Sequence, residues 1–235
     1  CMTEKSSTEL TEEIKARVRR NLEEIFSAVA GKNVTVMAAT KTVPAEVINY
    51  ATQECGLHNI GENRVQELLS KYDALDKTGV NMHFIGTLQP NKVKYIIGKV
   101  CLIHSLDSMK LAEDISKRSA ASGIVTDVLC EVNIGNEPAK SGVPEETAES
   151  FIESISSLPG INPRGIMVIG PHCGDPEDYR PFFGRTRALY TRLSDRGLFG
   201  SDPILSMGMS DNYRLAVEYG ANLIRPGTAV FGRRG

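Results

Sequence analysis

The segment VTVMAATKTVPAEVINYATQEC, residues 34–55, sets the pattern for the whole chain. Its first seven residues, 34–40, are almost continuously apolar or β-branched, as expected for a short strand covered on both faces. Lys41 follows at once. After Pro44 the stretch PAEVINYATQEC reads as a helix. Strand, polar end, helix is the unit, and it recurs outward from here.

Similar strand-like runs occur at LHNIGEN (57–63), MHFIGTL (82–88), CLIHSLD (101–107), DVLCEVN (127–133), RGIMVIG (164–170), PILSMGMS (203–210) and NLIRPG (222–227). Helix-like stretches such as RVQELLSKYDALD, MKLAEDISKRSAA and EETAESFIESISSL lie between them. Eight alternations predict a (β/α)8 TIM-type barrel over about residues 34–235, as a single domain. An open doubly wound sheet is the competitor. Eight units in roughly 200 residues, with no linker-like break in composition, favour closure. The last run is followed only by TAVFGRRG, so no second domain is expected after it.

An extra helix, about residues 8–30, precedes the barrel. Thr11 can cap it, Glu12 and Glu13 suit its positive end, and Ile14, Val18, Leu22, Ile25, Phe26 and Val29 recur at helical spacing before Gly31. Cys1 stands before Met2 and is expected to be an addition to the natural start. The N-terminus has no apolar core of a secretory signal, and no apolar run approaches the roughly 20 residues of a membrane span. The net charge of −2, with 24% charged residues among 235, asks for neither nucleic acid nor an anionic membrane. Cys55, Cys101, Cys130 and Cys173 are scattered without a C-x-x-C pair, which argues against a disulfide framework or zinc site and for the cytoplasm. Cys101 and Cys130 lie in strand-like runs, where a thiol acts as a small hydrophobe. His58, His83, His104 and His172 are not spaced as metal ligands. His83 and His104 read as packed, hydrogen-bonded core groups.

Barrel sites form at the C-terminal ends of strands, and polar residues gather there. The runs end in Thr40-Lys41, in Gly61-Glu62-Asn63, and in Gly86 with Gln89, Asn91 and Lys92 beyond. Further round come His104 and Asp107, Glu131 and Asn133, Ser206 through Ser210, and Arg225-Pro226-Gly227-Thr228. Each alone could be a cap or turn residue. Lys41 could be a snorkelling lysine, or an amine made available for imine formation by burial. SMGMSD before the helical NYRLAVEY, together with RPGTA, could supply N–H groups and hydroxyls to a phosphate. The same residues could form plain turns with Ser210 or Asp211 as cap. Arg225 reads either as a rim salt bridge or as a partner for a cofactor ring nitrogen. The charged loop 171–182 has no assigned role.

Taken in order, AATKTVP (38–44), IGENRVQE (60–67), HFIGTLQPNK (83–92), HSLD (104–107), EVNIGNEPAKSG (131–142), RGIMVI (164–169), LSMGMSDN (205–212) and RPGTAVFG (225–232) cover most of the chain. In these segments it resembles the pyridoxal phosphate homeostasis protein family. The resemblance implies a barrel like the N-terminal domain of alanine racemase, with pyridoxal 5'-phosphate (PLP) held as an internal aldimine. It implies Lys41 as the imine lysine, Asn63 beside the ring, and Ser206, Gly227 and Thr228 on the phosphate, with Ser210 added. It further implies Arg225 facing the pyridine nitrogen and Lys140 as a second lysine able to take the cofactor. An arginine there opposes ring protonation, whereas PLP enzymes usually exploit a protonated ring as an electron sink. The expectation is a monomeric carrier or buffer that delivers PLP to apo-enzymes, without turnover of its own. A minimal PLP-dependent amino-acid racemase is one alternative. A cofactor-free aldolase using Lys41 is another.

Overall fold

A computed structural model describes residues 10–171 and 173–232. The readings of Cys1 and His172, and the first residues of the expected N-terminal helix, lie outside them. The strands are β1 (Thr35–Ala39), β2 (Asn59–Glu62), β3 (Asn81–Phe84), β4 (Leu102–Leu106), β5 (Thr126–Asn133), β6 (Val143–Pro144), β7 (Ile161–Met167), β8 (Ile204–Ser206) and β9 (Leu223–Ile224). The α-helices are α1 (Glu12–Val29), α2 (Ala45–Glu54), α3 (Val65–Tyr72), α4 (Met109–Ala121), α5 (Ala148–Ser156), α6 (Arg180–Asp195), α7 (Tyr213–Glu218) and α8 (Thr228–Phe231).

All strand pairings are parallel. The ring runs β1-β2-β3-β4-β5-β7-β8-β9 and closes where β9 pairs with β1, so the eight predicted runs form a closed eight-stranded barrel. The two-residue β6 lies outside this ring, paired with the end of β5 through Val132 and Val143. It is too short to be read from periodicity. The sixth run starts three residues earlier than expected. Pro163 and Gly165 hid this: the pairing with β5 shifts register here, and a Cβ on Gly165 would lie 1.9 Å from the Ile204 carbonyl oxygen.

Strand parity divides the interior in two. Met37, Ile85, Leu102, Leu129, Met167 and Leu223 fill the barrel, with Ala39 and Ile204 against them. The alternate residues, among them Ala38, Ile60, Phe84, Ile103, Val128, Cys130, Ile166 and Leu205, face outward into the larger core beneath the helices. Thr11 caps α1 by accepting from the Ile14 N–H at 3.3 Å, and the helix buries Val18, Leu22, Ile25 and Val29. It packs beside α8 and α2, where the Asn21 amide donates to the Val230 carbonyl at 2.9 Å. Cys130 is fully buried, as a small hydrophobe should be, but Cys101 stands just before β4 and is exposed. The segment 171–182 is shorter as a loop than its composition suggested. Residues Pro176–Tyr179 form a 3-10 turn capped by Asp175, and α6 begins at Arg180.

Candidate functional site

Lys41 lies two residues beyond Ala39 and so keeps the inward parity of β1. It lines a cavity of about 620 Å³ at the C-terminal mouth of the barrel, together with Asn63, Arg64, Glu131, Ser141 and Ile169. The backbone around it is held on both sides. The Lys71 ammonium donates to the Thr40 carbonyl at 2.9 Å, and the Thr42 N–H donates to Glu67 Oε1. Thr42 has φ +59°, a left-handed conformation that a β-branched residue adopts only when its surroundings impose it.

Lys71 also binds Glu62 and Glu67, each at 2.8 Å. Glu62 therefore does not belong to the mouth. It shares the outward parity of Thr40, whose hydroxyl donates to it at 2.7 Å, and it sits under α3 at 1% exposure. Burial pushes its carboxyl up, against the pull of Lys71 and Thr40. Burial acts on Glu67 in the same direction, but Lys71 and the Thr42 N–H outweigh it and hold the group below its usual range. The sequence showed Glu62 as one of three rim residues. Only its neighbours Gly61 and Asn63 point inward.

Asn63 turns into the cavity, and its buried Oδ1 has no partner among the described residues. Gly86 makes this turn possible, because a Cβ there would lie 1.9 Å from the Asn63 carbonyl oxygen. Across the mouth, Glu131 is 4% exposed and accepts the Ser141 hydroxyl at 2.6 Å, with its carboxyl raised by burial. Lys140 lies outside the main cavity, in a smaller one that shares Glu131, Ser141 and Ile169, and its ammonium is paired with Glu137 at 2.6 Å.

The β8–β9 side adjoins Lys41 through β1. The Ala39 N–H donates to the Pro226 carbonyl at 2.9 Å, and Gly227 packs on Ala39. Ser210 accepts the N–H groups of Gly227 and Ala229, both at 3.0 Å, and so staples the turn after β8 to the start of α8, where Thr228 is the first residue. Asn212, rather than Ser210 or Asp211, stands at the N-cap position of α7, but its side chain turns back to the preceding turn, where Oδ1 accepts the Met209 N–H at 2.8 Å. Arg225 is buried inside the barrel. Its two terminal nitrogens donate to Ser206 Oγ and to the Val168 carbonyl, each at 2.8 Å. Burial brings it down to about 10, partly opposed by the charge of Glu131.

Ser206 requires a correction. It is fully buried, and its hydroxyl is committed to Arg225 and to His104 Nδ1 at 3.2 Å, so it supports the arginine and not a phosphate. His104 is likewise no rim residue. It and His83 lie within the barrel, joined at 3.0 Å. Burial lowers His83 to about 4 and His104 well below its ordinary value, so both are neutral. Among the described residues no cluster of three or more His, Cys, Asp or Glu could hold a metal, and no helix is long and apolar enough to cross a membrane.

The family profile described as "Alanine racemase, N-terminal domain" matches residues 15–235. The pyridoxal phosphate homeostasis protein of Aquifex aeolicus is 47% identical over 93% of this chain and 97% of its own length. The chain belongs to the pyridoxal phosphate homeostasis family. A second family member so named, from Helicobacter pylori, is 36% identical over 84% of this chain and 87% of its own length. Two structures of the family member PipY from Synechococcus elongatus superpose well. The one without PLP has TM-score 0.84 and 31% identity, covering 92% of this chain and 100% of that one. The other, solved with PLP bound, has TM-score 0.83 and 29% identity over the same shares. Alanine racemase of Clostridium difficile shares the family's fold at TM-score 0.79 and 14% identity, and this chain covers 57% of its length.

Proposed function

We propose that the chain holds PLP at the barrel mouth through Lys41 and takes part in PLP homeostasis as a carrier or buffer in the cytoplasm, without turnover of its own. The observation that carries this is one cavity lined by both Lys41 and Asn63, whose buried Oδ1 has no partner among the described residues. The relationship to proteins named for PLP homeostasis, and to PipY solved with PLP bound, supports it. When bound, PLP supplies an aldehyde that condenses with a primary amine, releasing water, and a ring nitrogen that can draw electrons.

The residues present fit that group. Lys41 supplies the amine, and its flanking backbone is held by Lys71 and Glu67. Ser210 uses its oxygen to accept two N–H groups, which leaves its hydroxyl proton for an anion. Gly227 and Thr228 complete the phosphate end. Arg225 can only donate, so facing a ring nitrogen it keeps that nitrogen unprotonated and weakens its use as an electron sink. This favours holding over turnover. Lys140, one cavity away, is a resting place for PLP in transit to apo-enzymes. The chain acts as a monomer.

The test is incubation of the purified chain with PLP, borohydride reduction and peptide mapping. Modification at Lys41, with loss of the visible band in Lys41→Ala, is the expected result. Modification elsewhere with Lys41 intact overturns the assignment. Exchange of the Cα proton of alanine above the rate with free PLP would replace the carrier by a racemase.

A further inference from the structure

A line of buried polar groups runs through the barrel interior beneath Arg225. We infer that His83 and His104 are positioning residues for Arg225, forming with Ser206 a one-way hydrogen-bond chain that fixes the guanidinium below the mouth. The inference rests on the proposed binding of PLP in that mouth.

The direction of every bond follows from the two ends of the line, a donor-only guanidinium and the acceptor-only Asn59 Oδ1, with two neutral rings between them. A guanidinium cannot accept, so at 2.8 Å Ser206 Oγ is the acceptor. The Ser206 hydroxyl proton is then free to go to His104 Nδ1 at 3.2 Å. With Nδ1 accepting, neutral His104 carries its proton on Nε2 and donates to His83 Nδ1 at 3.0 Å. His83 in turn carries its proton on Nε2 and donates to Asn59 Oδ1 at 3.2 Å. Asn59 Oδ1 also accepts the Asn81 amide at 3.1 Å, at the N-terminal end of the barrel. Four bonds from Arg225 to Asn59 thus have a single consistent sense, and both rings are the same tautomer.

The chain holds the arginine without cancelling its charge. Each member below it is neutral, and Glu131 acts on Arg225 only through space. A carboxylate in place of Ser206 would pair with the guanidinium and quench it. Here one terminal nitrogen is held by Ser206 and the other by the Val168 carbonyl, so the planar group is anchored at two points and its charge is kept for a bound group. Packing alone would need no such ordering of donors and acceptors.

The experiment is a titration of the full chain with PLP in a double-mutant cycle of His104→Phe and Arg225→Leu. His104→Phe removes the acceptor of the Ser206 proton. It is expected to weaken PLP binding by about tenfold with Arg225 present and by less than about twofold in the Arg225→Leu background. An equal loss in both backgrounds overturns the inference. Ser206→Thr, which keeps the hydroxyl, is expected to bind PLP more tightly than Ser206→Ala. Imidazole 15N spectra of the unmodified chain give a second arm that no folding defect can obscure. Neutral rings protonated on Nε2 at both His83 and His104 are expected, and Nδ1–H at either ring overturns the chain. If the unmodified protein binds no PLP, the reading of the mouth falls, while the spectra still decide the chain.

Discussion

On the β1–β2 side of the mouth, a buried carboxylate is met by a lysine from a helix. Glu62, Glu67 and Lys71 cluster under α3, and through Thr40 and Thr42 they hold the backbone on either side of Lys41. On the β8–β9 side, the hydrogen bonds of a buried guanidinium go, among the described residues, to neutral groups: Ser206 and a backbone carbonyl, with two histidines behind the serine. The difference comes from strand parity. Glu62 points outward, where a long side chain on α3 can reach it. Arg225 points inward, where no helix reaches, and only other strands can offer partners. The outer charges neutralise one another and fix backbone. The inner charge is held in place but not neutralised.

The largest effect is expected from breaking the outer cluster. Lys71→Met leaves Glu62 buried without its cation, and removing one partner of a buried pair costs about 3–5 kcal/mol. Thermal unfolding should show a Tm lower by roughly 10 °C for a chain of this size. A drop of only a degree or two would mean that the cluster is solvated. Adding Glu62→Gln should restore much of the loss, because it removes the stranded charge.

Acid should act first on the inner region. His83 has a folded-state value of about 4 against an ordinary 6.5. Its neutral form therefore contributes stability that is fully present above pH 6.5 and is lost as pH falls from 6.5 through about 4, on the order of 3 kcal/mol in all. The raised carboxyls of Glu62 and Glu131 act in the opposite sense, losing stability as pH rises from 4.5 through their folded values. Urea unfolding at pH 7 and pH 5 should thus show a loss on acidification that His83→Gln reduces. An unchanged difference between the two pH values would place the acid sensitivity elsewhere.

The smallest effect concerns the staple between the two turns on the β8–β9 side. Ser210→Ala strands the N–H groups of Gly227 and Ala229 and should cost about 1–2 kcal/mol. In denaturant titration the midpoint should fall with little change in slope. A neutral result would mean that water replaces the hydroxyl.

Much of this architecture was legible in the sequence. Each of the eight strand-like runs overlaps a barrel strand, though with different bounds, because strands covered on both faces need continuous apolar residues. Thr11 and the periodic apolar face of α1 were equally plain. Less legible were β6, which is too short to carry a period, and the start of β7, masked by Pro163 and Gly165. Among the polar residues, type and position along the strand were readable, but partners were not. Glu62 and Asn63 are neighbours in sequence and serve opposite sides of the barrel wall. Counting parity from Met37 and Ala39 would have separated them. The two histidines were read as satisfied core groups, which they are, but nothing local links residue 83 to 104, or 104 to 206.

The sequence by itself determined the strands, their alternation with helices, and the placing of Lys41 at a strand end, because these follow from local periodicity and chain order. Tertiary structure alone decided which polar groups meet. Closure of the ring brings β9 beside β1 and sets Arg225 and Gly227 next to the strand that carries Lys41. It also sets Ser206 against the arginine rather than beside Ser210. The physical reason is that a buried donor or acceptor must find a partner across the barrel, and distance across the barrel is not written along the chain.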